Sequence, residues 1–143
     1  MNVLSLAANP GQSLGDENIS KLVGDALPIE DYRGQKILLI VPDHTRTAPV
    51  GLLFKNIHRQ IGEATAALDV MIALGTHPPM SEETICERLE ITLADRREKY
   101  AKVQFHNHEW DNPDALKEIG AIPASEIAEL SGGRFETELP VKI

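Results

Sequence analysis

"KILLIVPDHTRTAP", residues 36–49, decides how the chain is read. Lys36–Val41 is a near-continuous apolar run, the pattern of a parallel-sheet strand covered on both faces. Asp43, His44, Thr45 and Arg46 come directly after it. A turn asks only for small or flexible residues such as Gly, Pro, Asn or Asp, so this cluster exceeds what reversing the chain requires. The surplus points to a binding site at the end of a strand.

The same arrangement recurs along the chain. Residues 67–74, "ALDVMIAL", predict a second strand, followed by the polar loop "GTHPPM" and a helix. Ser81 is a natural N-cap for that helix, and Glu82 and Glu83 suit its positive end. Helical structure is expected on to about Lys99. "KVQFHNHEW", residues 102–110, predicts a third strand with a polar end. Between the first two strands, residues 48–62 carry Leu52, Leu53, Ile57 and Ile61 on one helical stripe that Gly62 is placed to end. Upstream, residues 17–27 show helical spacing at Ile19, Leu22, Val23 and Leu27, and "YRGQ" turns the chain into the first strand. Downstream, "DNPDALKEIG" predicts a helix with Asn112 as cap and Pro113 in its first position, and the tail "GGRFETELPVKI" alternates like an edge strand.

Strand, polar loop and helix therefore repeat three times. The expected fold is α/β, a three-layer, Rossmann-like, mostly parallel sheet with helices on both faces, with residues 1–143 as one domain. Ligands of such sheets collect at the carboxyl ends of the strands. The loops "DHTR", "GTHPPM" and "HNHEW" each fall at such an end, and neighbouring strands would give them a common rim.

Composition narrows the partners. At 143 residues, with 42% hydrophobic and 25% charged side chains, the chain resembles an ordinary soluble domain. No apolar run approaches the roughly 20 residues needed to cross a bilayer. The start "MNVLSLAANPG" has no basic leader or long apolar core, so a cytoplasmic location is expected. Fourteen basic against 22 acidic residues leave a net charge of −8, which disfavours nucleic acid and anionic membranes as partners. A local Arg can still hold a small carboxylate. The single cysteine, Cys86, reads as a buried small residue on a helix.

Arg46 could grip a carboxylate through two parallel hydrogen bonds, with Asp43 orienting the guanidinium or a ligand hydroxyl. The bland alternative is a turn-capping Asp43 and an Arg46 paired with a surface acid. His77 is the best acid–base candidate, because a neutral-pH imidazole can both take and return a proton. Gly75 allows close backbone approach beside Thr76, and Pro78 with Pro79 stiffens the loop; a His77 bonded to a backbone carbonyl is the structural alternative. His58, on the flank of an amphipathic helix, is expected to be solvated. His106 and His108, two apart on a strand, would face one side, as in a two-His metal site. No third ligand is spaced to complete it, which favours a supporting or structural role and no metal site. Nucleotide-binding glycine fingerprints, a P-loop and a nucleophile elbow are all absent.

Three ordered motifs, "VPDHTRTAP", "ALGTHPPMSEE" and "NHEWDNPDAL", resemble those of the lactate racemase family over about residues 35–120. The resemblance implies the N-terminal domain of a two-domain 2-hydroxy-acid racemase or epimerase that works with a nickel-pincer nucleotide. In that family the cofactor accepts a hydride and returns it to either face, while a His on each side moves the hydroxyl proton. Carried over by motif, Asp43, His44, Thr45 and Arg46 would contact cofactor and substrate, with Arg46 on the carboxylate, and His77 would be one acid–base residue. Gly75, Thr76, His106 and His108 would support them. This chain departs from the family at Thr47 and Pro78, where Pro and Arg are usual, which bears on substrate range. The second catalytic His, the cofactor-attaching Lys and the nickel-binding His lie beyond the matched region, and "LSGGRFE" at 130–136 has no Lys to replace them. The expected partners are a small 2-hydroxy acid and a C-terminal domain of the same enzyme, with no nickel or nucleotide retained by this chain alone. The alternatives are a stand-alone module binding a small carboxylate or sugar acid without catalysis, and an interaction domain whose polar loops face another subunit.

Overall fold

A computed structural model describes residues 4–143 and divides them into two compact units. The first comprises the chain up to Ala73 together with Pro79–Asn107; the second comprises Leu74–Pro78 together with His108–Ile143.

The first unit contains α1 (Asp16–Ala26), α2 (Ile29–Tyr32), β1 (Lys36–Pro42), α3 (Val50–Ile61), β2 (Ala67–Ala73), α4 (Glu82–Arg88), α5 (Leu93–Arg97) and β3 (Phe105–Asn107). The three strands form a parallel sheet in the order β1-β2-β3. Pairing runs from Lys36↔Ala67 to Pro42↔Ala73, and from Val70↔Phe105 to Ile72↔Asn107. Pro42, Ala73 and Asn107 consequently end at one edge of the sheet. The expected parallel α/β architecture is present, with the sheet flanked by helices.

Strand periodicity puts Leu68, Val70 and Ile72 on the same side of β2, where all three are buried. Phe54, Ile61, Ile85, Leu89, Tyr100 and Val103 complete this core. Each fully buried side chain of this size contributes roughly 1.5–3 kcal/mol of transfer free energy. Both crossovers step in the same direction across the sheet, and the right-handed rule for such connections would carry α3 and the α4–α5 pair over one face. On the other pleat of β1, Leu38 and Ile40 remain 43% and 53% exposed. β1 is thus covered on one face among the described residues, not on the two that its apolar sequence suggested.

The helical structure expected on to about Lys99 forms as two helices with a break between them. α4 stops at Arg88, Glu90 takes a left-handed φ of 53°, and Thr92 restarts the chain into α5 with a capping box to Asp95. The break fits a close approach: a Cβ on Gly51, at the start of α3, would lie 2.6 Å from the Leu89 carbonyl oxygen and 2.6 Å from Glu90 Cγ. Lys55 Nζ reaches across to the Glu90 carboxylate at 3.0 Å. Cys86 is buried on α4 as expected, and burial pushes its thiol pKa up.

In the second unit β4 (Glu118–Ile122) pairs antiparallel with β5 (Leu139–Lys142), and α6 (Ala124–Ser131) lies between them in sequence. Of the alternating tail, Leu139–Lys142 is strand, as expected. The helix expected over 112–120 is not formed. Asn112 instead closes a turn, its Oδ1 accepting from Asp114 N at 3.2 Å, and the next residues enter β4. The candidate helix held Gly120 and too few residues to stand against a strand partner some twenty positions away. α6 ends at Gly132, whose φ of 63° suits glycine, with Gly133 N donating to the Ala128 carbonyl.

His58 is half-buried, not solvated as its helix position suggested. Its ring stands edge-on to Tyr100 at 4.7 Å between centroids and 6.1 Å from the Phe54 ring. Burial holds its pKa below the usual histidine value. The unfolded chain binds that proton more readily, so the stability His58 contributes is full above the unfolded pKa of about 6.5 and is lost as pH falls below it. Urea midpoints measured at about pH 7.5 and pH 5.5 should fall less in His58→Phe, which keeps a ring and cannot protonate, than in the wild type. Equal falls would show that His58 does not titrate with folding.

Two glycine substitutions should move stability in opposite directions. Gly51→Ala gains roughly 1 kcal/mol of helix propensity and loses about 1–3 kcal/mol to overpacking against the α4 backbone, so the urea midpoint drops. Gly24→Ala meets nothing closer than 3.7 Å, the end of the Gln60 side chain, and should raise the midpoint by roughly 0.5–1 kcal/mol of stability.

Candidate functional site

β1 delivers its last residue, Pro42, to the carboxyl edge, and the next four residues form a compact turn. Asp43 is buried, and its Oδ1 accepts hydrogen bonds from Thr45 N at 3.1 Å and Thr45 Oγ1 at 2.6 Å. This is the local bonding by which Asp folds the chain onto itself. Arg46 N donates to the Asp43 carbonyl at 3.4 Å. His44, Thr45 and Arg46 are exposed. The Arg46 guanidinium makes no hydrogen bond or ion pair with a described residue, so neither the surface-acid pairing nor orientation by Asp43 is found.

Two residues that sequence reasoning missed secure the loop ends. Arg88, in the last turn of α4, donates from Nε to the Pro42 carbonyl at 3.1 Å and from Nη2 to the Arg46 carbonyl at 2.9 Å. Asn107, the last residue of β3, both accepts from Met80 N at 3.0 Å and donates to the Met80 carbonyl at 2.9 Å. Met80 lies just beyond the "GTHPP" loop. In sequence Arg88 looks like an ordinary cation at a helix C-terminus, and Asn107 like strand-end polarity, so only long-range pairing distinguishes them.

The loop Leu74–Pro78 continues from Ala73, the last residue of β2, and belongs to the second unit. His77 N donates to the Leu74 carbonyl at 3.1 Å and closes a tight turn. Gly75 has a φ of 60°, and a Cβ there would meet nothing within 4 Å. The left-handed backbone is what requires glycine here. Thr76 and His77 are exposed.

His106 and His108 do not share a strand face. β3 ends at Asn107, leaving His106 on the strand, with Nε2 3.9 Å from Asp69 Oδ2, and His108 in the following segment. His108 Nε2 is buried without a hydrogen-bond partner among the described residues. No three His, Cys, Asp or Glu side chains converge as a metal cage among the described residues. No helix among them is long and apolar enough to cross a membrane.

A cavity of about 440 Å³ opens at the opposite, amino edge of β2 and β3, lined by His58, Thr65, Leu68, Lys99, Lys102 and Val103. Near the candidate loop there is a smaller open cleft between His44, Thr84 and Arg88. Parallel sheets gather ligands at carboxyl ends, and the exposed Arg46 stands there, so the candidate site is placed at that edge.

The crystal structure of a Thermotoga maritima protein is similar to this chain, with 33% sequence identity and a TM-score of 0.72. The match covers 97% of this chain and 31% of that one, so the chain spans about a third of its relative's length. No curated protein matches. The family described as the lactate racemase N-terminal domain matches residues 16–139, which include Asp43–Arg46, His77, His106 and His108. The chain belongs to the lactate racemase N-terminal domain family.

Proposed function

We propose that this chain supplies the carboxylate-binding and proton-transfer half of a 2-hydroxy-acid racemase or epimerase, with a C-terminal polypeptide as its partner. The observation that carries the proposal is Arg46: an exposed guanidinium with no ion pair among the described residues, on a loop braced at both ends, at the carboxyl edge of a parallel sheet. A guanidinium so placed matches a carboxylate with two parallel hydrogen bonds.

In this account Arg46 holds the substrate carboxylate. The backbone turn that Asp43 and Thr45 form sets where that guanidinium can reach. His77 accepts the proton of the C2 hydroxyl of one enantiomer as the oxygen–hydrogen bond breaks, and a second acid–base group, from the C-terminal partner, returns a proton on the other side after inversion; in the reverse direction the two exchange roles, as neutral imidazoles can. Inversion at C2 also needs a hydride acceptor, for which the resemblance implies a nickel-pincer nucleotide. The donor set of the described residues does not furnish a nickel cage.

Lactate racemisation should require both this chain and its complementing C-terminal polypeptide. In that assembly Arg46→Ala should raise the lactate KM by about two to four powers of ten, since two charge-assisted bonds of about 1.5–3 kcal/mol each are lost. His77→Asn should lower kcat by about 10²–10⁴ with a smaller change in KM. Unchanged kinetics in Arg46→Ala would refute the proposal. Calorimetric binding of lactate by this chain alone, with no turnover when the C-terminal polypeptide is added, would instead identify a carboxylate-binding module.

A further inference from the structure

Within the Asp43–Arg46 turn, Asp43 Oδ1 takes two bonds from Thr45, and one long backbone contact joins Arg46 N to the Asp43 carbonyl at 3.4 Å. Those bonds shape the turn without fixing its far end, at Arg46, to the body of the first unit. That attachment comes from a side chain on another element. Arg88 spans the turn, with Nε on the carbonyl that enters it and Nη2 on the carbonyl that leaves it. We infer that Arg88 is a positioning residue that sets the place and orientation of the Arg46 backbone, and through it the direction of the ligand-binding guanidinium; the functional part of this inference rests on the reading of Arg46 given above.

Three features make a guanidinium the right group for this task. Its donors are fixed in a plane, so two carbonyls held at a set separation define its position and are defined by it. It stays charged at every working pH, so the clamp does not loosen as pH changes. A Lys ammonium at the same place is a point donor on a flexible stem and cannot present the Nε and Nη2 directions together.

The anchor itself is firm. α4 ends against the start of α3, where Gly51 leaves no room for a Cβ and Lys55 binds both the Glu90 carbonyl at 3.4 Å and the Glu90 carboxylate at 3.0 Å. α3 comes after the loop in sequence, so the loop is bounded by β1 on one side, α3 on the other, and Arg88 across its span. Arg88 is itself partly buried and lines the open cleft with His44.

Amide hydrogen exchange on the intact chain tests the inference without any ligand. In Arg88→Ala, exchange at His44, Thr45 and Arg46 should rise about tenfold or more, while amides of β2 keep their wild-type protection. Low-millimolar guanidinium should restore the protection in Arg88→Ala, and Arg88→Lys should remain loose. Wild-type exchange at these three amides in Arg88→Ala overturns the clamp. So does a uniform rise across β2, or a failure of guanidinium to restore protection, because either marks a general structural role. Because no substrate enters this measurement, its failure leaves the carboxylate reading of Arg46 standing, and failure of lactate binding leaves the clamp standing.

Discussion

Parallel pairing of β1, β2 and β3 is the constraint on which the other features depend. Once Lys36 pairs with Ala67 and Val70 with Phe105, all three strands must finish at one edge, and the segment after each strand departs from that edge. The pairing is enforced by burial. Leu68, Val70 and Ile72 share one face and are buried, and a slip of one residue would turn them out to solvent.

A parallel sheet positions strand ends, and side chains from other elements position the loops that leave them. Asp43 and Thr45 fold the first loop, Arg88 ties that loop to α4, and Asn107 holds the Met80 backbone ahead of α4. Glu90 keeps a left-handed backbone at the end of α4, where the helix meets Gly51. Strain of this kind persists where surrounding contacts determine the conformation, and here it lies directly behind the loop that carries Arg46.

Much of this was legible in the sequence because it depends on local pattern. The apolar runs at 36–41 and 67–74 marked β1 and β2, the stripe of Leu52, Leu53, Ile57 and Ile61 marked α3 although Leu53 is exposed, and Ser81 marked the start of α4. Features that stayed hidden depend on partners distant in the chain. β4 forms only because β5 returns to pair with it, so Pro113–Gly120 looked helical in isolation. Bare Leu38 and Ile40 follow from strand order, which composition does not encode. His58 looked solvated because Tyr100 comes to cover it from over forty residues away. The same contrast runs through the candidate site: "DHTR" stands out in the sequence by its surplus chemistry, whereas Arg88 and Asn107 carry common residue types in ordinary places and differ only in the backbone groups they reach.

The central claim is that Arg46 is the carboxylate anchor of a 2-hydroxy-acid site. A crystal structure of this chain assembled with its complementing C-terminal polypeptide and grown with L-lactate tests it most directly. The expected result is the lactate carboxylate bound to the Arg46 guanidinium through two bonds of about 2.7–2.9 Å. Arg46 paired instead with an acidic side chain of the protein, or lactate held elsewhere, would contradict it.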